Sequence, residues 1–158
     1  MRTGPSGYPA VVGEPNVWST ARLADGDGRA ADVDVNGFEL SCEIPLDSAP
    51  EPAGVTPFGL LAASLSTCTV MSVRTFLQRW RLEPGEVQVR VAVRGGPSPM
   101  LERTVTVDAV VDPDLREQLS AEVDSTPVTR LLRDAVPIRT VLRTGSGGSG
   151  AVGGPQRA

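Results

Sequence analysis

The stretch Thr56-Pro57-Phe58-Gly59-Leu60-Leu61-Ala62-Ala63-Ser64-Leu65-Ser66-Thr67-Cys68-Thr69 decides the fold. Thr is a favoured N-cap and Pro a favoured first helical residue, so a helix is predicted to open at Thr56-Pro57. Leu61, Leu65, Cys68, Phe76 and Trp80 then recur at steps of three or four, with Ser72 the one polar gap. Leu60, Ala62, Ala63, Val70 and Val73 widen the stripe around most of the helix, the pattern of an enclosed helix. Pro84-Gly85 is expected to end it. The run 52–73 carries no charge, but Pro57, Gly59, Ser64, Ser66, Thr67, Thr69 and Ser72 make it too polar for hydrocarbon. A buried helix is therefore expected, not a membrane span.

Upstream, Val17 to Leu23 alternates roughly from Trp18, and Asp25-Gly26-Asp27-Gly28 is turn chemistry. Ala31 to Val35 has the period of a half-buried strand, and Asn36-Gly37 is a strong hairpin signal before a return strand, Phe38 to Ile44. A Pro/Ala/Gly loop fills 45–55. Downstream, Val87 to Val93 and Val105 to Val111 alternate around a Gly95-Gly96-Pro97 turn, two strands of an antiparallel meander. Asp112-Pro113-Asp114 opens a second helix to about Asp124, with Leu115, Leu119 and Val123 on one face. Ser125-Thr126-Pro127 breaks it and restarts a short helix to about Asp134, with Thr126 as its N-cap; Val136 to Leu142 closes as a strand. The predicted class is α+β, helices on one face of a largely antiparallel sheet. The expected organisation is a flexible segment over 1–15, one domain over 16–144 and a disordered Gly/Ser-rich tail over 145–158.

Composition narrows the chemistry. The 158 residues hold 15 basic and 19 acidic side chains, net −4, which argues against electrostatic nucleic-acid binding. There is no His, so imidazole acid–base chemistry, Cys-His pairs and His-ligated zinc are excluded, and two cysteines cannot make a four-thiolate zinc site. Every basic side chain is Arg, which removes Schiff-base lysine chemistry. No metal or cofactor is expected. The opening residues lack an apolar run of signal-peptide length, so a reducing cytoplasm is the default expectation.

The 56–69 segment resembles the central-helix motif of the OsmC/Ohr family, with Pro57, Leu60, Leu61, Ala63, Leu65 and Cys68 in register. Arg81 to Val89 looks like the strand that follows, and Ala121 to Leu131 like the second-cysteine segment. The resemblance spans roughly 16–144. It implies thiol-dependent reduction of organic or lipid hydroperoxides in oxidative-stress defence, by an intertwined homodimer whose pockets are built from both chains. It makes Cys68 the attacking thiol and Arg29 its guanidinium partner, with Arg22 a weaker candidate, and puts Phe58, Leu61 and Phe76 at the substrate. Three positions depart from the pattern. Thr126 replaces the second cysteine ahead of Pro127-Val128, Phe58 or Gly59 replaces a first-turn carboxylate, and Gly26 falls on the Arg position. Glu43 and Pro45 partly keep the acidic and Pro residues after the third strand.

A peroxidatic thiol must ionise near neutral pH, yet an ordinary Cys has a pKa of about 8.5. Cys68 lies about three turns into its helix, beyond reach of the helix dipole, and apolar burial disfavours the thiolate. A nearby guanidinium would reverse that; without one the thiol is inert core. Lacking a disulfide partner at 126, a Cys68 sulfenate would need an external thiol or dithiol. The rival expectation is a non-catalytic dimer that binds a small apolar ligand. Cys42, on the strand face of Phe38 and Leu40, is expected in the core, and Trp80 and Phe76 at core or dimer contacts. Asp32/Asp34 read as a solvated strand face, and Asp112/Asp114 as a helix N-terminus.

Overall fold

Asn36 and Gly37 turn with φ of 50° and 87°. That left-handed pair is what a two-residue hairpin between right-twisted strands requires. It joins β2 (Ala30–Val35) to β3 (Phe38–Glu43), and β1 (Ser19–Arg22) pairs on the other side of β2. Both pairings are antiparallel, with Val33 opposite Leu40 and Ala31 opposite Cys42. The Gly37 N–H donates to Asp34 Oδ1 at 3.0 Å, so Asp34 closes the turn. These facts come from a computed structural model that describes residues 17–23, 30–43, 54–145 and 149–152. The expected flexible segment 1–15, the 25–28 turn and most of the 45–55 loop lie outside those residues.

The chain divides into two compact units, 1–57 and 58–158. The first holds the three-stranded sheet, where Cys42 is buried as expected although Phe38, on the same strand face, is exposed. The second holds a four-stranded sheet in the order β4-β5-β6-β7. Its strands are β4 (Val87–Arg94), β5 (Met100–Val107), β6 (Ile138–Thr144) and β7 (Ser149–Val152). β4 and β5 form the expected antiparallel hairpin. β6 runs parallel to β5, with Arg103 beside Thr140, because the chain returns through two helices before re-entering the sheet. β7 pairs antiparallel with β6, within the stretch whose composition predicted a flexible tail.

The long helix α1 (Pro57–Arg79) matches the prediction, but its buried stripe is narrower than the sequence implied. Leu65, Thr69, Val73, Phe76 and Leu77 are buried, whereas Phe58, Met71 and Trp80 are exposed. α1 is long and apolar enough to cross a membrane, yet five of its residues are built into a protein core. It ends at Arg79, five residues before Pro84. Arg81 takes φ 56°, and the Leu82 and Arg81 N–H groups donate to the Leu77 and Gln78 carbonyls at 3.1 and 2.9 Å. This is the Schellman closure, made without the usual Gly.

α2 (Pro113–Asp124) is capped by Asp112, whose carboxylate accepts from Leu115 N at 2.9 Å. α3 (Pro127–Leu132) follows with Thr126 in the N-cap position. The core of this unit joins Val73, Phe76 and Leu77 of α1, Val105 and Val107 of β5, Leu115, Leu119 and Val123 of α2, and Leu142 of β6. Burying each of these apolar side chains is worth about 1.5–3 kcal/mol.

Candidate active site

Cys68 is half-buried on α1, and its neighbour Thr69 is fully buried. The Thr69 hydroxyl donates to the Leu65 carbonyl at 2.7 Å, which leaves its lone pairs aimed off the helix. They accept from Nη1 of Arg103 at 3.1 Å. Arg103 projects inward from β5 in phase with Leu101, Val105 and Val107, and is only 1% exposed.

A guanidinium has five N–H bonds to satisfy. Here each has a partner. Nε donates to Thr140 Oγ1 at 3.2 Å; Nη1 donates to Thr69 and, at 2.8 Å, to Thr129 Oγ1; Nη2 donates to Asp124 Oδ1 at 3.0 Å and Thr140 Oγ1 at 2.8 Å. Four elements thus supply the cradle: α1, the end of α2, α3 and β6. Burial pushes Arg103 below the usual guanidinium range; the charge and hydrogen bond of Asp124, and then the charge of Cys68, pull it partly back.

Thr126, in the second-cysteine position of the resemblance, is also buried and joins this network. Its hydroxyl shares a 2.6 Å hydrogen bond with Thr129 Oγ1, which accepts from Arg103. The expected N-cap therefore uses its side chain on another hydroxyl and makes no side-chain cap bond. The network thus includes Thr126 and Thr69, the residue after Cys68, around a guanidinium that sequence reading missed. The missed signal was Leu101-Glu102-Arg103-Thr104-Val105-Thr106-Val107, where an Arg occupies a core phase of the strand.

The other expected site residues fall elsewhere. Arg29, Gly26 and Pro45 lie outside the described residues. Arg22 is in the first unit, where it lines a pocket of about 380 Å3 with Asp32, Val33, Asp34, Glu39 and Leu40. Leu61 is half-buried two turns before Cys68 on the same helix side, Phe58 is exposed, and Phe76 is a core residue. Phe76 meets Trp80 at a ring separation of 6.3 Å and receives the Arg79 guanidinium over its face at 5.7 Å. Asp112 serves as the α2 cap. Among the described residues no three His, Cys, Asp or Glu side chains cluster as a metal site.

A family model described as OsmC-like protein matches residues 50–141. A Solanum lycopersicum protein named for 3,4-dihydroxy-2-butanone kinase is 33% identical over 98 residues, 61% of this chain. The chain spans only 16% of that relative's length. An OsmC-like protein from Mycoplasma pneumoniae superposes with a TM-score of 0.69 at 10% identity, covering 83% of this chain and 98% of that one. An organic hydroperoxide resistance protein from Elizabethkingia anophelis gives 0.65 at 18% identity, covering 82% and 96%.

Proposed function

The chain belongs to the OsmC-like protein family, and we propose that it has a stress-related redox role, reducing organic or lipid hydroperoxides through Cys68. The observation that carries this reading is a half-buried thiol on α1 next in sequence to Thr69, whose hydroxyl accepts from the fully buried Arg103 guanidinium. The Cys68 thiolate attacks the terminal oxygen of the hydroperoxide and the O–O bond breaks. The alkoxide leaves and takes up a proton to become the alcohol, while the sulfur becomes a sulfenic acid.

With Thr at 126, the sulfenic acid is reduced by an external thiol. Its thiolate forms a mixed disulfide with release of water, and a second thiol then frees Cys68 and carries away the external disulfide. Both cysteines are free, in keeping with a reducing cytoplasm. The exposed Phe58, Met71 and Trp80 of α1 suit a homodimer in which a second copy covers the helix.

The same exposed residues, together with Thr126, favour one alternative: a dimer that binds a small apolar ligand without turnover. Treatment with an organic hydroperoxide and a sulfenate trap separates the two by intact mass. A trapped adduct on the parent, absent in Cys68→Ser, supports peroxide reduction. No adduct on the parent, or an equal one on the variant, ends that reading.

A further inference from the structure

We propose that Asn36 is a modification site of the opened β2–β3 hairpin: its side-chain amide is lost through a succinimide with Gly37, leaving aspartate or isoaspartate, and the closed turn suppresses that step. The inference is independent of the chemistry at Cys68.

The chain has two asparagines, Asn16 before Val17 and Asn36 before Gly37. A succinimide forms when the backbone nitrogen after an asparagine attacks its side-chain Cγ. Gly has no Cβ to obstruct that approach, whereas a β-branched Val crowds it. Asn36 and Gly37 are both exposed. Among the described residues, and apart from its chain neighbours, no atom lies within 4 Å of where a Gly37 Cβ would stand. In the reaction the Gly37 nitrogen gives up its proton and forms the N–Cγ bond. The Cγ–Nδ2 bond breaks and ammonia leaves with that proton. Water then opens the ring at Cγ to give aspartate, or at the main-chain carbonyl to give isoaspartate, with no change of oxidation state.

The closed turn keeps nucleophile and electrophile apart. Asn36 is left-handed, with φ 50°, a region where ψ is about +47°. That rotation carries the Gly37 nitrogen to the side of the Cα–C bond away from Cβ, out of reach of Cγ. Hydrogen bonds hold both groups there. Gly37 N–H donates to Asp34 Oδ1 at 3.0 Å, and Asn36 Oδ1 accepts from Trp18 N–H at 2.9 Å. Asn36 N–H donates in return to the Trp18 carbonyl at 3.2 Å. Ring closure therefore needs the turn to open, and hydrogen bonds at exposed residues open locally at low cost.

The isoaspartate product routes the backbone through the side chain and lengthens a two-residue turn. The Val35–Phe38 pair cannot then close on the same loop, and the pairs behind it, Val33 with Leu40 and Ala31 with Cys42, lose the turn that sets their register. The change persists when the chain closes again, so the site records time spent open.

The test incubates the full chain in buffer and in denaturing guanidinium chloride at one pH and temperature, then cleaves after arginine. The 30–74 fragment carries Asn36 and no other Asn, and leaves out Asp25-Gly26 and Asp27-Gly28, whose isomerisation would add isoaspartate. Its amide-to-acid mass change and its enzymatic methylation at isoaspartate give the rate. Conversion is expected in denaturant and at least about tenfold more slowly in buffer, the equivalent of about 1.4 kcal/mol of closure. Asp34→Ala, which releases the Gly37 N–H, is expected to raise the buffer rate about two- to tenfold and leave the denaturant rate unchanged. No conversion in denaturant overturns the site, and a buffer rate equal to or above the denaturant rate overturns the suppression. An unchanged or lowered buffer rate in Asp34→Ala with a native circular dichroism spectrum overturns it too. Should that variant fail to fold, the comparison on the parent decides alone.

Discussion

Removing the acid from the Arg103–Asp124 pair is expected to cost more stability than removing the base. Two unit charges 3.0 Å apart attract by about 5 kcal/mol at an effective dielectric near 20. With Asp124 41% exposed, solvent screening reduces its contribution to about 2–3 kcal/mol. Asp124→Ala therefore costs about that much, since it strands a cation that cannot reach water. Arg103→Met strands only an anion that rehydrates where it stands. The Met fills part of the guanidinium's space, Thr69 keeps its bond to Leu65, and Thr129 keeps Thr126. Thr140 loses its two close donors, which costs about 1–2 kcal/mol. The downward shift of Arg103 points the same way: charge burial outweighs what Asp124 returns. A folded value below the unfolded one means stability rises as pH climbs from the folded value towards the unfolded one. Urea midpoints at constant slope measure both variants. An Arg103→Met loss equal to or larger than that of Asp124→Ala would refute this reasoning.

Three further outcomes are expected. Arg81→Gly should stabilise the chain by about 0.5–1 kcal/mol, raising the urea midpoint, because Arg81 pays for a left-handed conformation that Gly adopts freely. Gly145→Ala should destabilise by about 2 kcal/mol or more in the same titration, since a Cβ there would collide with the Asp108 carbonyl oxygen. Leu119→Ala, at a fully buried core position of α2, should lower stability by about 2–5 kcal/mol, read by thermal and urea unfolding together.

Much of the architecture was legible because local chemistry and periodicity agreed. Asn36-Gly37 placed its hairpin, Asp112-Pro113 its helix start, and the Leu61-to-Phe76 stripe its long helix. The errors came where one residue served two demands. β5 was expected from Val105 but begins at Met100, because Arg103 in a core phase disguises the alternation of its first half. α1 was expected to run towards Pro84 but closes around Arg81, a residue type that gives no sign of a left-handed turn. The parallel pairing of β5 with β6 has no local signature at all. At the site, Cys68 and Thr126 stood out from family resemblance, while the charge cradle did not. Thr69, Thr129 and Thr140 carry no motif, and only the fold makes them neighbours.

The partners of Arg103 are far apart in the chain, and Thr140 reaches it only across the parallel ladder. A nascent β4–β5 hairpin therefore presents a bare guanidinium on the surface that must later be dry. Collapse of α1 onto that surface is penalised until the crossover helices and β6 arrive with their oxygens. The desolvation of Arg103 is therefore offset only by contacts distant in sequence, and these form only once both crossover helices and β6 have packed.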